Sequence, residues 1–538
     1  MKGFTHSLRW FTAAVLLCAM PATSAFAQVK TTPATDKNTN VAAVPRAIPD
    51  LVPYHVFDPP KNPLFDINKL TVSGDIRVRP EFRTNSVFGV GHADSKTPGS
   101  LTTGQKQNSF FTQQLIRLGF NYDISPDVVF FVQAQVSNNF GATQPGISDK
   151  AGISDKDGGV STSVNNPQDT AQRFFLRQGF IMVRNFVIPN LSLKAGRQLM
   201  VWGNHRIFGH FDWSNVGFAF DGVTFRYNHK MFPVETGWLR VGEGDCTQNA
   251  TLCDRTGKAS NDGDIVFVRI PAKIAGIAIE PAWIWESGGS SGSGIGTNNT
   301  GAAVGGQPGN QSRHTVGARI ATKKGMFDAT AEGYWQFGQI GVGGFQRDLT
   351  INALAGHFDF GVTLPVPMQP RIGAEVNYAT GDGDNKNCQN VTSAATQVAT
   401  CGGNANTFSQ LFPTNHINWG YMDLMSWQNM LTYAFNLQLR PTKNSHFELA
   451  GHIMHLASAN DHWYTASQGI LFNAAQNAAG AKSIGQEIDA VYTLFFQGNK
   501  VAWQIGYGHF FPGALINNNV TGDPPGSDWG YTQLWINF

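Results

Sequence analysis

Apolar and polar side chains alternate along most of the chain, beginning in the segment Leu70–Arg83. Its apolar face carries Leu70, Val72, Ile76, Val78 and Phe82. Its polar face carries Thr71, Ser73, Asp75, Arg77, Arg79, Glu81 and Arg83. A helix would mix these two sets, whereas a strand separates them because its side chains repeat every second residue. The polar face is longer and richer in arginine than is usual for a soluble β-sandwich.

The same period of two recurs to the last residue. Further alternating segments lie near 116–122, 130–136, 327–336, 371–378, 431–440 and 501–507. Strands of about 10 residues with one apolar and one polar face are typical of transmembrane β-barrels. The pattern therefore predicts an all-β fold, a single transmembrane antiparallel β-barrel with its apolar side chains facing lipid.

Short turns and long polar loops alternate between these segments. The predicted turns lie near 123–127, 184–189, 229–232, 271–276, 323–326, 365–369, 441–444 and 497–500. The predicted loops are 85–107, 139–171, 201–219, 242–262, 287–312, 339–348, 381–422, 458–484 and 512–528. Eight turns and nine loops join about 18 strands, an even number, which puts both termini on the periplasmic side with the short turns.

Composition excludes several other classes of protein. Only 14% of the 538 residues are charged, against about 25% in ordinary soluble domains, whereas 12% are aromatic. Many aromatic residues and a formal net charge of +2 argue against a disordered chain. Beyond the N-terminus, no stretch approaches the roughly 20 apolar residues of a membrane-spanning helix. The small net charge also predicts no nucleic-acid partner.

The N-terminus has the features of a secretory signal peptide. Lys2 and Arg9 precede the apolar run 11–20, and Ala25-Phe26-Ala27 is a small-x-small cleavage site. We therefore expect residues 1–27 to be removed after Ala27 on export.

The expected mature chain has two parts. Residues 28–68 do not alternate and are rich in Pro, Thr and Asn, which predicts a periplasmic tail or linker. Residues 69–538 are the predicted outer-membrane barrel. Without Lys2 and Arg9 the chain is neutral, so any charge preference must come from where its charges lie.

The chain ends in a strand that carries Leu534, Ile536 and Phe538 on one face. This ending resembles the C-terminal assembly signal of bacterial outer-membrane proteins. It implies the barrel-assembly machinery as a partner, recruited through Phe538. Outer-membrane lipid and lipopolysaccharide are the other partners expected of such a barrel.

Arginines on the polar strand faces are the main candidates for binding chemistry. The predicted pore-lining residues are Arg77, Arg79, Arg83, Arg117, Arg177, Arg226, Arg319, Arg371 and Arg440. Rings of arginine can select anions, because the guanidinium fork matches carboxylates and phosphates. The alternative is internal pairing, which would only brace a wet lumen. Its predicted partners are Asp75, Glu81, Glu375, Glu448, Glu487 and Asp489.

Signals of enzymatic or metal chemistry are weak. The chain has no GxSxG, phosphate-loop or HExxH motif, so we expect neither an enzyme nor a cofactor. His446 and His452 share a strand face with Glu448 but lack a clear third ligand. We therefore predict polar pore-lining residues there rather than a metal site.

A long motif follows one of the predicted strands. It begins with Gly196-Arg197-Gln198, continues through residues 202–209 and the sequence Phe211-Asp212-Trp213-Ser214-Asn215, and ends with Phe220-Asp221-Gly222-Val223. This run resembles the signature of the alginate-export family of outer-membrane porins. Residues 411–416 and 420–423 resemble a second stretch of that family.

The resemblance extends over about residues 70–538 and implies an 18-stranded barrel that passes an anionic polysaccharide through an arginine-lined pore. It adds Arg197 and Arg206 to the candidate substrate-binding residues. Alginate exporters have a long periplasmic turn late in the barrel, whereas the corresponding turn here is only 497–500. The direction of transport and the identity of the substrate therefore stay open.

The motif loop is itself unusual in composition. Trp202, Phe208, Phe211 and Trp213 are poorly suited to a freely solvated loop. They predict a loop that folds inward as a constriction, and the alternative is an extracellular lid. Three functions remain: a channel for anionic saccharides, an uptake porin for small solutes, and a surface-binding barrel whose loops recognise a partner.

The mature chain has four cysteines in two close pairs, each within a polar loop. In an exported protein we expect Cys246 to bond Cys253 and Cys388 to bond Cys401. A zinc site would need ligands from distant loops without CxxC spacing. Mass spectrometry after non-reducing digestion should find these two pairs. A linkage such as Cys246 to Cys388 would refute the pairing.

Overall fold

The computed structural model describes residues 67–85, 109–140, 173–242, 263–289, 308–342, 347–383, 404–466, 468, 470–472, 474–520, 524 and 526–538. These residues form a closed antiparallel β-barrel of 18 strands. The fold class and the strand number predicted from the sequence are confirmed. The signal peptide, nearly all of the tail and the four mature cysteines lie outside the described residues, so those predictions stay predictions.

Each strand pairs with its neighbours in the sequence. The barrel strands are β1 (Leu70–Arg83), β2 (Ser109–Asp123), β3 (Val128–Phe140), β4 (Arg173–Val183), β5 (Leu191–Gln198), β6 (Phe220–Tyr227), β7 (Val234–Gly242), β8 (Gly263–Arg269), β9 (Ile277–Gly289), β10 (Pro308–Lys324), β11 (Phe327–Val342), β12 (Arg347–Thr363), β13 (Arg371–Ala379), β14 (Met430–Leu439), β15 (Ser445–Leu456), β16 (Ser483–Phe496), β17 (Val501–Pro512) and β18 (Ser527–Asn537). A short strand, Ala272–Ile274, extends the β8 edge and pairs with β9.

The other described elements are short. They are the strands Asn404–Ala405, Trp463–Tyr464 and Ile470–Phe472, the 3-10 helices Ile67–Lys69, Asn415–Ile417 and Ala474–Gln476, and the α-helix Ala514–Asn517. No helix among the described residues is both long enough and apolar enough to cross a membrane.

The two ends of the chain close the barrel. β1 pairs antiparallel with β18, with Ile76 opposite Ile536 and Val78 opposite Leu534. The Gly74 N–H donates to the carbonyl of Phe538 at 2.9 Å, and the Phe538 N–H donates to the carbonyl of Gly74 at 3.0 Å. The last residue of the chain is therefore part of the seam.

Burial follows the alternation predicted from the sequence. In β1, Asp75, Arg77, Arg79, Glu81 and Arg83 are buried. Their apolar neighbours Val72, Val78 and Phe82 are exposed. In a membrane barrel the exposed apolar face is the one that meets lipid, so the buried polar face lines a filled lumen.

The wall of the barrel is uneven in height. β5, β6 and β7 have 8, 8 and 9 residues, whereas β10, β11 and β12 have 17, 16 and 17. The eight short connections all lie near the predicted turns, and the start of β1 and the end of β18 lie on the same side as these turns. The low sector of the wall thus ends on its extracellular side, where β5 and β6 lead into residues 199–219.

The seam predicts that Gly74 is sensitive to substitution. A Cβ at Gly74 would lie 2.5 Å from the Phe538 ring and 2.7 Å from the carbonyl oxygen of Arg117. We expect Gly74→Ala to lower the fraction of protein that shows heat-modifiable migration in detergent gels. Gly451→Ala is the matched control, because a Cβ there meets nothing within 4 Å. Equal folded fractions for the two variants would contradict this account of the seam.

Candidate functional site

Two inter-strand segments fold into the lumen of the barrel. Residues 199–219 connect β5 to β6, and residues 404–429 lead into β14; together we call them the inner plug. Phe208 and Trp427 have no exposed surface, and both share one apolar cluster with Leu239 on the inner face of β7. The aromatic motif loop is therefore an inward constriction, as the sequence predicts, and not an extracellular lid.

The two segments of the inner plug are joined through their backbones. Phe208 and Phe412 form a parallel bridge. The Phe412 N–H donates to the carbonyl of Ile207 at 3.0 Å, and the Gly209 N–H donates to the carbonyl of Phe412 at 2.8 Å. The Phe208 and Phe412 rings stack at 5.9 Å between centroids. The inner plug therefore behaves as one packed unit.

The arginines of β1 hold the inner plug at Trp213. Arg79 donates to the carbonyl of Trp213 at 2.8 Å, and its guanidinium lies 3.6 Å from the centre of the indole ring. On the other face of the indole, the His416 ring stacks at 3.8 Å with an interplanar angle of 9°. We call this Arg79–Trp213–His416 arrangement the Trp213 stack. It fastens both plug segments to β1.

Arg77 makes a second attachment beside the Trp213 stack. Its guanidinium donates to the carbonyl of Trp213 at 3.0 Å and to Oδ1 of Asn215 at 2.6 Å, and it also reaches the carbonyl of Asp212. The guanidinium of Arg77 is therefore occupied by the inner plug.

Asp212 is the centre of an ion-pair cluster. Arg117 on β2 and Arg177 on β4 each approach its carboxylate at 2.9 Å. Arg117 also pairs with Asp75 at 2.8 Å. Burial by itself would raise the pKa of Asp212, but Arg117, His210 and Arg177 hold that pKa well below its usual range. Asp212 is therefore a carboxylate at neutral pH.

The histidines of the inner plug add no positive charge at neutral pH. Burial lowers the pKa of His205 to about 3 and that of His210 to about 4, the second despite the neighbouring Asp212. Burial also lowers the pKa of His416, although the Asp423 carboxylate, 3.0 Å from its Nδ1, acts in the opposite direction. Arg206 is thus the main cation that the plug carries.

Arg206 fastens the inner plug to the wall opposite β1. It donates to Glu375 at 2.9 Å and to Asn377 at 3.1 Å, both on β13. It also lies 3.5 Å from Glu332 on β11. The neighbouring Asn204 donates to the same Glu332 carboxylate. The Arg206 carried over from the family motif therefore bridges plug and wall.

Most of the predicted arginines do face the lumen, but in ion pairs rather than as an open ring. Arg83 pairs with Glu81 at 2.5 Å, Arg319 lies 3.4 Å from Glu280, and Arg371 pairs with Asp328 at 2.6 Å. For these residues, and for Arg79, Arg117, Arg177 and Arg206, the structure shows the pairing alternative. Of the predicted partners, Asp75, Glu81 and Glu375 take this role.

Two of the other predicted acids, Glu487 and Asp489, hold the inner plug in a different way. Glu487 accepts the Met422 N–H at 2.9 Å, and Asp489 accepts the Tyr421 N–H at 3.3 Å. His452 Nε2 lies 3.6 Å from Asp489. Within the described part of the chain, no three His, Cys, Asp or Glu side chains are grouped so as to hold a metal ion.

Arg197 was wrongly placed in the pore. It follows Leu193 and Ala195 on the outer face of β5, and it pairs there with the exposed Asp221 at 2.6 Å. The strand period decides this, because Gly196 and Gln198 take the inner positions. The motif arginine therefore faces away from the lumen.

Arg226 and Arg440 lie at the edge of the predicted lumen face rather than within the barrel interior. Both have the inward parity of their strands, but both lie at the short-turn end and are exposed. Arg226 pairs with Glu235 at 3.2 Å. They lie at the periplasmic mouth, because their strands end there.

The short turns carry a concentration of exposed positive charge, which we call the basic ring. Its lysines are Lys230, Lys273, Lys323, Lys443 and Lys500, and its arginines are Arg226 and Arg440. Lys324 is exposed at the same level but lies on the outer face, opposite Phe327, and is not part of the ring. None of these lysines forms an ion pair with a described residue. Asp127 is an exposed acid at the same level. The mouth therefore has an excess of positive charge that the interior lacks.

Asp212, Trp213 and Asn215 are central to the site, although only the motif itself pointed to them. A carboxylate and an amide within an aromatic loop are the sequence signal that could have identified them, because such groups need hydrogen-bond partners when they are buried. Which arginines supply those partners depends on how the loop folds back across β1, β2 and β4.

Comparison with known proteins supports an outer-membrane channel. Residues 291–523 match the model of a family described as "Alginate export", a family of outer-membrane porins. The resemblance inferred from the motifs is thereby confirmed for this stretch, which includes the second motif at 411–423. No curated protein sequence matches the chain.

Solved structures resemble the barrel as a whole. OccK9 (OpdG) of Pseudomonas aeruginosa superposes with a TM-score of 0.51 at 10% identity, covering 88% of this chain and 99% of that one. OccAB4 of Acinetobacter baumannii gives a TM-score of 0.50 at 11% identity, covering 87% and 98%. At such low identity the likeness shows the fold alone.

Substitution within the Trp213 stack tests whether the inner plug narrows the pore. Trp213→Ala removes the ring that joins Arg79 to His416, and truncations of buried aromatics of this kind cost about 3–5 kcal/mol. We expect the loosened plug to give a larger mean conductance in planar bilayers. Trp335→Ala is the control, because Trp335 is 46% exposed on the outer face of β11. Unchanged conductance in Trp213→Ala would show that this plug does not limit the pore.

Proposed function

We propose that this outer-membrane porin channel passes anionic oligosaccharides or polysaccharides. The observation that carries the proposal is the basic ring at the periplasmic mouth. A mouth lined with one sign of charge raises the local concentration of the opposite sign, and a low-dielectric wall strengthens that field. A carboxylated sugar chain fits this field, and the family match of residues 291–523 supports the same class of substrate.

The paired interior also suits a long anionic substrate. Arg117, Arg206 and Arg371 have carboxylate partners within 3 Å, so none of them offers a bare guanidinium to a passing polymer. Conduction requires binding that is weak at each of many sites, because tight binding at one site stalls the substrate. These three arginines are at most 4% exposed, so they can act as weak sites of this kind only after the inner plug moves.

The inner plug favours a second candidate, an uptake porin for small solutes. A lumen occupied by Trp213, Phe208 and Trp427 leaves little room for a polymer unless the plug moves. The two candidates differ in one respect that can be measured. A polysaccharide channel is blocked transiently by oligouronates of increasing length, whereas a small-solute porin loses this response above a short chain length.

A surface-binding barrel is the third candidate. In that case the barrel is an anchor, and the purified protein should not conduct above leak in planar bilayers. The barrel fold and the family match both point to a non-enzymatic channel instead. The same bilayer recordings distinguish these possibilities before any substrate is tested.

The basic ring predicts chloride preference in a KCl gradient. Lys323 has the inward parity of Arg319 and Ala321, and Lys273 lies opposite the buried Ala278. We expect Lys273→Gln with Lys323→Gln to shift the reversal potential toward potassium and to weaken block by oligouronates. Lys324→Gln is the matched control, because Lys324 shares the outer face with Ile320 and Phe327. If the parent channel already prefers potassium, the anionic-substrate proposal fails.

A further inference from the structure

Four charged residues form a single row on the outer face of the low wall. Arg197 lies opposite Asp221, Asp221 lies opposite Arg240, and Arg240 lies opposite Asp264, so the signs alternate from β5 to β8. We call these four residues the charged row. Their strand neighbours Phe220, Leu239 and Ile265 are at most 2% exposed in the lumen cluster, which fixes the outward direction of the row.

The charged row is ordered but accessible. Arg197 is 2.6 Å from Asp221, and Arg240 is 2.8 Å from Asp264. Trp238, on the outer face below the row, donates to Asp264 at 3.0 Å. The side chain of Asp221 is 58% exposed, the largest fraction of the four. Asp221 can therefore contact a partner from outside the barrel, and Arg240, whose side chain is 27% exposed, lies directly opposite it.

The row lies at a depth where lipid would otherwise meet the wall. From Tyr227 at the short-turn end of β6 to Asp221, the strand rises about 15 Å at the usual tilt and rise per residue. On β11, the outer aromatic residues Phe327, Trp335 and Phe337 extend over about 25 Å, the normal height of the apolar band. The charged row is thus roughly 10 Å lower than the top of that band.

Charges at this depth require a polar neighbour. Arg or Asp facing hydrocarbon is unfavourable, and a wall shorter than the bilayer is compensated by local thinning or by oligomerisation. The pairs within the row reduce the cost but leave Asp221 more than half exposed. An outside partner with complementary charge would satisfy the same residues without thinning the bilayer.

We propose that the charged row is a contact between two copies of this chain. A two-fold axis along the membrane normal reverses the order of the row in the second copy. Asp221 then opposes Arg240 of the second copy, with the reciprocal pair on the other side of the axis. The strand tilt inclines the row to the membrane plane, so Arg197 and Asp264 at its two ends lie at different heights. Both central contacts unite opposite charges, which is the self-complementarity that an isologous interface requires.

The surroundings of the row fit this arrangement. The axis passes between β6 and β7, where the next outer pair toward the periplasm is Val223 and Trp238. These side chains supply apolar surface beside the charged contacts. The row is bounded by Gly179 on β4 and Ser287 on β9, which are small and uncharged. The complementary surface is therefore confined to the low sector of the wall.

Lipopolysaccharide is the competing occupant, since its phosphates also pair with arginine. Phosphate fits the row less well, because Asp221 and Asp264 alternate with the arginines and would repel it. The two occupants differ in one property: a two-fold contact can be restored by exchanging charges between copies, whereas a lipid contact cannot.

The test uses two single substitutions of the full-length chain, each carried with two different affinity tags. Asp221→Arg places like charges across the axis, and Arg240→Asp does the same with acids. We expect each variant to lose co-purification of its two tagged forms from membranes in mild detergent. Co-expression of Asp221→Arg with Arg240→Asp should restore it, because both central contacts then again unite opposite charges.

Two controls keep the result interpretable. Heat-modifiable migration reports whether each variant still forms the barrel, and Asp127→Arg in a periplasmic turn introduces the same charge change far from the row. The Asp127 variant should co-purify like the parent. The proposal is overturned if the parent copies do not co-purify, or if the mixed pair stays apart while both variants fold. Loss of lipopolysaccharide retention without any co-purification of the parent would assign the row to lipid instead.

Discussion

The whole structure depends on the need to satisfy every backbone hydrogen bond of a sheet that lies in lipid. An open sheet edge in hydrocarbon leaves N–H and C=O groups without partners, so only a closed barrel is stable there. The seam between β1 and β18 meets this need, and it does so through the last residue, since Phe538 exchanges two backbone hydrogen bonds with Gly74. Closure then divides every strand into a lipid face and a lumen face.

Closure also explains why the charged side chains of the lumen are paired. Once the inner plug fills the interior, Arg117, Arg177 and Asp212 are shielded from water, and an unpaired charge in such a place is costly. The same residues would be well solvated in an open, water-filled pore. The plug therefore converts a row of lumen-facing arginines into a set of attachment points for itself.

The outcome is a channel with different charge in different places. Most arginines of the interior have carboxylate partners where the inner plug meets β1 and β13, whereas the lysines of the basic ring have none among the described residues. Net charge does not reveal this, since the chain as a whole carries only +2. The proposed function therefore assigns the attraction of an anion to the mouth and its passage through the constriction to separate groups, Lys273 and Lys323 in the first case and the Trp213 stack in the second.

The sequence by itself determined the barrel, its 18 strands and the inward parity of residues such as Arg77, Arg79 and Arg371. Those properties follow from the two-residue period of a strand, which is local. The sequence did not indicate the outward position of Arg197. The strand there is short and a predicted loop follows at once, so too few alternating residues were available to assign its two faces. The partners of Asp212, the Trp213 stack and the bridge from Arg206 to Glu375 were decided only by the tertiary structure. Each joins residues far apart in the chain, and no local pattern specifies which wall a folded loop will meet.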